Sequence, residues 1–180
     1  KVFSYHLAKN YRNAYKLFVS NGILFNHESP RRGTNFVTNK VCKEAVRIKY
    51  GLTDRLELGN LDATRDWGHA RDYVQAMWLM LQLDEPGDYV CATGISHSVR
   101  DLVDYVFSKI ELDADRYIRV SERFLRPEEL HNLKGDSSKL RQATGWKPEY
   151  TFETMLDEMI DYWLEELRPA HSSGATTSFA

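Results

Sequence analysis

Hydrophobic and polar positions along the chain repeat with two periods. Apolar residues spaced three and four apart predict amphipathic helices over residues 1–15, 35–50, 67–83, 98–110, 137–144 and 152–167. Short apolar runs between them predict strands over residues 17–25, 55–59, 88–92 and 117–120. Because strands alternate with helices, the order predicts an α/β fold with mostly parallel strands, followed by a mixed α+β portion.

The helix patterns also predict which side chains are buried. In the helix over 67–83, the residues expected to face the core are Ala70, Tyr73, Val74, Met77, Trp78 and Leu81. The last helix has the cleanest apolar face, and its opposite face is acidic and expected to be solvated. Ser98 is expected to cap the helix that follows it, with Asp101 at the capping-box position. Gly51 and Gly145 are expected to end their helices.

The stretch that begins at residue 17 organises the chain. Residues 17–25 are apolar on both alternations, which is typical of a strand covered on both faces. In parallel sheets, ligands bind beyond the carboxyl ends of strands, which here means Asn26 and His27. A dense polar loop over residues 60–69 follows a second predicted strand in the same way.

A loop with several cations leads from this strand into the next helix. Pro30 and Gly33 bracket a turn, and Arg32 follows another arginine, so two planar guanidinium groups are available to a phosphate. Thr34 or Asn35 is expected to cap the helix over 35–50, and Lys40 extends the cluster of cations from an early turn. The pattern predicts an anion-binding loop. The alternative is a solvated basic loop without a ligand.

Composition narrows the class of protein. The chain has 180 residues, of which 42% are hydrophobic and 28% charged, so we expect one domain or a large piece of one. Its net charge of -2 predicts no bulk electrostatic attraction to nucleic acid or membranes. No apolar run is long enough to span a bilayer, and no signal-peptide pattern opens the chain. Cys42 and Cys91 lack metal-ligand spacing and are expected to be buried, reduced thiols of a cytoplasmic protein without a metal site.

The two ends of the chain carry their own expectations. Residue 1 lies in a helical pattern with no cap and no starting Met, so we infer a missing segment upstream. No GxGxxG motif occurs, and the phosphate-binding first half of a dinucleotide fold is therefore absent from this chain. Residues 171–180 are small and polar, which is typical of a disordered tail.

Two long motifs point to a family. The first is Asn26-His27-Glu28-Ser29-Pro30-Arg31-Arg32-Gly33-x-Asn35-Phe36-Val37-Thr38-x-Lys40. The second is Leu58-Gly59-Asn60-Leu61-Asp62-Ala63-x-Arg65-Asp66-Trp67-Gly68-His69-Ala70-x-Asp72-Tyr73-Val74. Together with shorter matches up to Gly145-Trp146-Lys147-Pro148, they resemble the GDP-mannose 4,6-dehydratases, a family of extended short-chain dehydrogenases/reductases. The resemblance extends from residue 1 to about residue 167.

The resemblance implies both a fold and an activity. Residues 1–170 would be the C-terminal part of an NAD(P)-binding Rossmann fold with a smaller mixed α+β lobe that binds the nucleotide sugar. In the family's reaction, NADP takes a hydride from C4 of the mannose of GDP-mannose, water is lost across C5 and C6, and the hydride returns at C6. The product, GDP-4-keto-6-deoxymannose, begins GDP-fucose or deoxyhexose synthesis.

The resemblance also implies roles for individual residues. Lys1 falls on the catalytic Lys of the family's Tyr-x-x-x-Lys motif, whose Tyr would precede residue 1, so this chain alone is expected to be inactive. The residues implied for NADP are Lys1, His27 and Arg32. The residues implied for GDP-mannose are Asn26, Lys40, Arg65, Arg126 and Glu129. The family also suggests a homotetramer or homodimer.

Other interpretations remain open from the residues themselves. The chain could be a non-catalytic module that binds a nucleotide sugar, or part of a GDP-4-keto-6-deoxymannose reductase. Arg65 and Asp66 could form a surface ion pair. The two histidines near predicted helix starts, His69 and His97, could satisfy only backbone groups, and two of the tryptophans could serve only for packing. The choice of Glu129 over its neighbour rests on alignment register.

Overall fold

The parallel strand pairs of the sequence prediction are present in the computed structural model, which describes residues 1–124, 130 and 132–169. The helices are α1 Val2–Tyr15, α2 Val37–Lys49, α3 Ala70–Met80, α4 Val99–Lys109, α5 Ala114–Tyr117, α6 Ser138–Thr144 and α7 Phe152–Glu166. The strands are β1 Asn21–Leu24, β2 Asn26–Glu28, β3 Leu56–Leu58, β4 Thr64–Arg65, β5 Trp67–His69, β6 Asp88–Cys91, β7 His97–Ser98, β8 Ile118–Val120 and β9 Asn132–Leu133.

Most strand pairs are parallel, which confirms the predicted α/β class. Strand β1 pairs with β6, β2 with β5, and β3 with β8, all in parallel. Strand β4 lies between β9, which is parallel to it, and β7, which is antiparallel. The chain therefore brings β2, β4 and β5 close together, although they are separate in sequence.

The larger hydrophobic core lies between α2, α4 and α7, with β3 at its edge. Helix α4 begins with the predicted capping box, in which Ser98 and Asp101 satisfy each other's backbone N–H groups. The apolar faces predicted for α4 and α7 are buried, including Phe107 and Leu156 at 0% exposure. A second core joins α3, α6 and β6 and contains Tyr73. Local sequence signals and long-range packing agree in α4 and α7.

Strand β1 is not covered on both faces, so this prediction was wrong. The strand is shorter than expected, its Ile23 is 43% exposed, and Leu17 and Phe18 before it are exposed as well. Within the described residues, β1 has only β6 as a paired neighbour. An apolar run indicates that its residues can be buried, but burial also requires another element of the structure to cover them.

Helix α3 buries a different face from the predicted one. Its buried apolar residues are Tyr73, Ala76 and Met80, whereas Val74 and Trp78 on the predicted stripe are 63% and 60% exposed. At 100° per residue, the buried face is rotated by about a quarter turn from the prediction. Apolar residues lie on both faces, and packing against β5, β2 and α6 selects the face that contains the small Ala76.

Two local predictions around the organising loop need correction. Phe36 is the N-cap of α2, without a side-chain cap, because a turn from Gly33 to Phe36 occupies the residues that were expected to cap it. Residues 60–69 are not simply a loop, because they contain β4 and β5, and Trp67 and His69 are buried. Within the described part of the chain, no helix is both long enough and apolar enough to cross a bilayer.

Candidate functional site

A cavity of about 570 Å³ opens between β2, the start of α2, the β3–β4 loop and β4. Its polar lining residues are Asn26, Glu28, Arg32, Asn35, Thr38, Lys40, Asn60 and Arg65. Its apolar walls are Phe36, Val37, Leu58, Gly59, Ala63, Trp67, Val99, Phe124, Leu130 and Leu133. The volume falls within the range of small-molecule sites in proteins.

Strand β2 determines which of its side chains reach the cavity. Successive side chains of a strand point to opposite faces, and Asn26 and Glu28 line the cavity whereas His27 does not. The His27 ring instead lies 5.2 Å from the Tyr73 ring, centroid to centroid. Its Nδ1 lies 2.9 Å from the carbonyl oxygen of Phe25. Since that oxygen can only accept, Nδ1 carries a proton and donates it.

A buried carboxylate lies in the cavity wall. Glu28 is 2% exposed, and Thr38 Oγ1 donates a hydrogen bond of 2.5 Å to its Oε2. The same oxygen lies 3.1 Å from Nε of Arg32, in an ion pair between residues four apart. Burial raises the pKa of Glu28, while Thr38 and Arg32 act in the opposite direction. The Arg32 guanidinium also stacks over the Phe36 ring, with its Cζ 3.5 Å from the ring centroid.

Lys40 reaches the cavity from the first turn of α2. Its ammonium donates to the carbonyl oxygen of Glu57 at 2.6 Å and lies 3.9 Å from the centroid of the Phe124 ring. Desolvation lowers the pKa of Lys40. The side chain is therefore fixed at both a carbonyl and a ring while it remains on the cavity lining.

Arg65 enters the cavity from β4, the middle strand of its sheet. Its Nη1 donates to the carbonyl oxygen of Leu130 at 2.6 Å and to that of Thr64 at 2.8 Å. The next residue, Asp66, points elsewhere and is 0% exposed, so the surface ion pair considered for Arg65 and Asp66 was wrong. Asp66 lies between β4 and β5, and its carboxylate accepts hydrogen bonds from Thr93 and Gly94 instead.

Asp66 joins three segments next to the cavity. Its carboxylate accepts hydrogen bonds from the backbone N–H and the hydroxyl of Thr93 at 2.9 and 2.6 Å. It also accepts from the N–H groups of Gly94 at 2.9 Å and Gly135 at 3.2 Å. The carboxylate thus ties the β4–β5 junction to the end of β6 and to the segment after β9. Arg65 lies on the strand that this arrangement holds.

The cavity lining suits a phosphorylated ligand. Three cationic side chains, Arg32, Lys40 and Arg65, share the lining with the amides of Asn26, Asn35 and Asn60. Guanidinium and ammonium groups bind phosphate through charge-assisted hydrogen bonds, and amides hydrogen-bond to sugar hydroxyls. Among the described lining residues, Glu28 is the one carboxylate, and it is paired with a guanidinium. The arrangement can therefore bind a nucleotide-sized anion.

Comparison with known sequences identifies the family. The sequence profile of the family described as GDP-mannose 4,6 dehydratase matches residues 1–159. The chain belongs to the GDP-mannose 4,6-dehydratase family. It is 53% identical over 156 residues to GDP-mannose 4,6 dehydratase 2 of Arabidopsis thaliana, covering 87% of this chain and 42% of that protein. It is 45% identical to the Homo sapiens GDP-mannose 4,6 dehydratase, covering 93% of this chain and 50% of that protein.

Solved structures share the same fold. RMD from Pseudomonas aeruginosa, complexed with NADPH, matches with a TM-score of 0.80 and 25% identity over 89% of this chain and 52% of that one. The dTDP-glucose 4,6-dehydratase of Bacillus anthracis, in complex with NAD, matches with a TM-score of 0.76 and 20% identity over 89% and 49% of the two chains. The predicted Rossmann-type α/β class is thus confirmed. The chain spans about half the length of the relatives it matches.

Four of the residues that the family resemblance singled out share the cavity, namely Asn26, Arg32, Lys40 and Arg65. Arg32 was predicted to bind the cofactor, yet it lines the same cavity as the three predicted substrate ligands. Lys1 and His27 are not among the lining residues. Lys1 is exposed at the start of α1, with no side-chain cap bond.

Several predictions lie outside the described residues. Arg126, Glu129 and the tail over residues 171–180 belong to this group. The division into a Rossmann part and a smaller substrate-binding lobe stays a prediction, as do the ligand roles of the individual residues.

His69 satisfies a backbone group but also contacts Glu158, and His97 packs on a ring, so the two histidines do more than satisfy backbone groups; the two tryptophans are packing residues, as predicted. His69 is the N-cap of α3, its Nδ1 accepts from the N–H of Arg71 at 3.1 Å, and its Nε2 lies 2.8 Å from Glu158. His97 stacks on Phe152, with ring centroids 3.9 Å apart. Trp67 and Trp146 are 3% and 2% exposed, as packing residues should be.

Sequence reasoning missed Glu28 and the aromatic walls, Phe36 and Phe124. The signal for Glu28 was available, because Asn26 and Glu28 are two residues apart and would share a face if residues 26–28 were a strand. Those residues were interpreted as a loop instead. Phe124 carried no usable signal, because its contact with Lys40 depends on a chain separation of more than eighty residues.

Proposed function

We propose that the protein to which this chain belongs is an NADP-dependent GDP-mannose 4,6-dehydratase, a lyase. It converts GDP-mannose into GDP-4-keto-6-deoxymannose by internal hydride transfer, which supplies GDP-fucose or another deoxyhexose. The relatives of 40% to 53% identity are named GDP-mannose 4,6-dehydratases, and they support this proposal. Because the chain spans about half their length, the activity is proposed for a full-length protein and not for this chain alone.

One observation carries the proposal. Asn26, Lys40 and Arg65 come from β2, α2 and β4, far apart in sequence, yet their side chains line one cavity. In the proposed function, Lys40 and Arg65 neutralise the diphosphate of GDP-mannose, and Asn26 hydrogen-bonds to sugar or diphosphate oxygens. Arg126 would add a further cation, and Glu129 would accept from guanine or ribose.

Three side chains support the proposed nicotinamide cofactor, two of them outside the cavity and one on its lining. When bound, the nicotinamide would accept the hydride and return it. In a neutral His27 the protonated Nδ1 faces Phe25, so Nε2 is an acceptor suited to a ribose hydroxyl. Arg32 offers a guanidinium to a phosphate. Lys1, held next to the ribose, would lower the pKa of the family's Tyr.

NADP rather than NAD is the proposed form. RMD, which shares the fold, is complexed with NADPH, whereas the Bacillus anthracis neighbour is in complex with NAD. Competitive titration of the full-length protein with both dinucleotides tests the choice. We further propose a cytoplasmic homotetramer or homodimer that binds neither nucleic acid nor membranes, and light scattering of the full-length protein measures the assembly. Cys42 and Cys91, free and buried thiols, agree with a reducing compartment.

The decisive experiment uses the full-length protein. Incubation with GDP-mannose and catalytic NADP should yield the 4-keto-6-deoxy sugar, seen by NMR as a new C6 methyl group, with no net change in nicotinamide absorbance. Formation of no keto sugar, with GDP-mannose still bound, would instead support a non-catalytic binding module. Consumption of NADPH on addition of the 4-keto sugar, with no reaction of GDP-mannose, would support the reductase.

Variants connect this activity to the cavity. Arg65→Ala should weaken GDP-mannose binding about tenfold or more, since a charged hydrogen bond contributes about 1.5–3 kcal/mol. The control is Arg100→Ala, because Arg100 forms ion pairs with Asp104 and Asp115 and does not line the cavity. Equal weakening by both variants would contradict the assignment of Arg65.

A further inference from the structure

The carboxylate of Glu28 is unexpected in the lining of a cavity that is proposed to bind phosphate. It is buried, it lies on the lining, and its negative charge would repel a phosphate nearby. The other polar side chains among the described lining residues are three cations, three amides and the hydroxyl of Thr38. A buried charge is costly unless it is paired and hydrogen-bonded, so its partners indicate its purpose.

Those partners are one hydroxyl and one guanidinium. Thr38, itself 0% exposed, donates to Oε2 of Glu28, and Arg32 Nε lies 3.1 Å from the same oxygen. Thr38 belongs to the first turn of α2 and Glu28 to β2, so the hydroxyl fixes the carboxylate between two regular elements. The loop that carries Arg32 connects these elements.

Arg32 is consequently held on two sides. Its Nε faces Glu28, and its Cζ lies 3.5 Å from the centroid of the Phe36 ring. Within residues 1–124, 130 and 132–169, no hydrogen bond is found from either terminal nitrogen of Arg32, although the residue lines the cavity. Nε makes an ion pair without the geometry of a hydrogen bond. An arginine held by that ion pair and covered by a ring on one side has its two terminal amino groups left for a planar anion.

We propose that Glu28 is a positioning residue, which holds the guanidinium of Arg32 ready to bind a phosphate group of a nucleotide. Its benefit is that Arg32 does not lose side-chain freedom when the ligand binds, which offsets the repulsion between Glu28 and the phosphate. The phosphate belongs either to the nucleotide sugar or to the dinucleotide cofactor, and both would be recognised by the same terminal amino groups. The inference rests on the proposed function in that both need a nucleotide in this cavity.

The direction in which one substitution changes nucleotide affinity distinguishes a positioning role of Glu28 from a purely electrostatic one. Glu28→Gln keeps the shape and an oxygen that accepts from Thr38, but it removes the negative charge. If Glu28 acted only as a charge, the variant would bind phosphate more tightly, because a repulsive group is gone. If Glu28 positions Arg32, the variant of the full-length protein should bind its nucleotide about fivefold to fiftyfold more weakly.

A double-mutant cycle then tests whether the effect passes through Arg32. Glu28→Gln, Arg32→Ala and the double variant are titrated separately with GDP and with NADP by calorimetry. In the Arg32→Ala background, Glu28→Gln should no longer weaken binding, and it should strengthen it slightly. Coupling seen with GDP assigns the phosphate to the nucleotide sugar, and coupling seen with NADP assigns it to the cofactor.

Controls separate positioning from damage to the fold. Asp72→Asn alters another buried carboxylate, one that accepts from the N–H groups of Glu149 and Tyr150 outside the cavity, and it should leave nucleotide affinity within about twofold. Glu28→Asp keeps the charge but draws it back from Arg32, so it should also weaken binding. If Glu28→Gln does not fold, this variant carries the same cycle.

The outcomes are distinct from those of the proposed function. Tighter binding by Glu28→Gln, or equal weakening with and without Arg32, would overturn the positioning role even if the protein makes the 4-keto sugar. Conversely, coupling between Glu28 and Arg32 in a protein that binds GDP but makes no keto sugar would overturn the proposed reaction and leave the positioning role standing. Absence of binding of both nucleotides to the unaltered protein would overturn both.

Discussion

Two groups of helices have similar amphipathic patterns but differ in what covers their apolar faces. The first group is α2, α4 and α7, and the second is α1 and α3. The first group shares one core, in which Val41, Val103 and Leu156 are 0% exposed. In the second group, α1 has no buried residue, and Trp78 of α3 and Leu81, the residue directly after it, are 60% and 57% exposed. The first group also forms or supports the cavity wall, through α2 and the start of α4.

The difference teaches that an apolar stripe predicts a helix more securely than it predicts burial. Burial is a property of a pair of surfaces. The described residues supply the second surface for the apolar faces of α2, α4 and α7 and for the Tyr73 face of α3, but not for the Trp78 face of α3 or for α1. Helix α1 is attached mainly by polar contacts, where Tyr5, Arg12 and Lys9 all reach Asp88 at the start of β6. The substitutions below contrast these two modes of attachment.

The largest effect is expected in the shared core. Leu156→Ala should lower the free energy of unfolding of the 180-residue chain by about 2–5 kcal/mol, because it removes buried methyl groups and leaves a cavity between α2 and α7. Leu81→Ala deletes the same atoms from an exposed position at the C-cap of α3 and should cost no more than about 0.5 kcal/mol. Urea unfolding measures both, and comparable losses would contradict the contrast between the two regions.

A smaller loss is expected at the polar connection between them. Asp66→Asn turns an acceptor into a donor against N–H groups of Thr93, Gly94 and Gly135, so at least one buried group loses its partner. The expected cost is about 1–3 kcal/mol. The exposed Asp62→Asn serves as the matched change and should be nearly neutral. A neutral Asp66→Asn in urea unfolding would show that the carboxylate does not hold these segments.

Attachment of α1 should depend on acid. Burial tends to raise the pKa of Asp88, but hydrogen bonds from Arg12, Asn21 and Tyr5 outweigh it and bring the pKa to about 2. Since the folded pKa lies below the unfolded value of about 3.9, this stabilisation is complete above about pH 5 and is lost as the pH falls towards 2. Its size is about 1–2 kcal/mol after allowance for solvent screening.

Asp88→Asn should remove that acid dependence. Amide exchange in α1 should be faster than in the unaltered chain at pH 7, and the difference should shrink as the pH falls towards 2. The exposed Asp84→Asn supplies the control and should follow the unaltered chain at every pH. Unchanged protection of α1 in Asp88→Asn at pH 7 would mean that α1 is held by its apolar contacts instead.

The smallest effect is expected at the cap of α4. Ser98→Ala removes the acceptor for the N–H of Asp101 at 3.0 Å and should cost about 1 kcal/mol. Ser108→Ala, at an exposed position near the other end of the helix, should stay within about 0.5 kcal/mol. Thermal unfolding measures both variants. Equal midpoints would show that the capping box adds nothing to this packed helix.

What could be predicted from sequence follows from how local each signal is. The capping box at Ser98 and the helix ends at Gly51 and Gly145 were predictable, because a cap and a left-handed turn residue act within a few positions. Strand β4 was not predictable, because its two residues form a strand only through pairing with the distant strands β7 and β9. The buried face of α3 was not predictable either, because the helix has apolar residues on two faces and tertiary packing covers only one of them.

The candidate site divides in the same way. The motifs singled out Asn26, Lys40 and Arg65, which the fold then brings to one cavity. They could not indicate that Arg32 would be paired with Glu28 and stacked on Phe36, since those contacts depend on the turn over residues 29–36. Residue type thus predicts which ligand chemistry is available, and tertiary geometry decides which groups act together.

The central claim is that the cavity of the first region, and not the apolar faces of the second, binds a nucleotide. Titration of the ¹⁵N-labelled chain with GDP, followed by amide chemical shifts, tests it most directly. The account predicts saturable shifts centred on Asn26, Lys40 and Arg65, weakened in Arg65→Ala and unchanged in Arg100→Ala, with α1 and α3 unaffected. Shifts centred on α1 or α3, or no saturable shifts in the cavity, would contradict it.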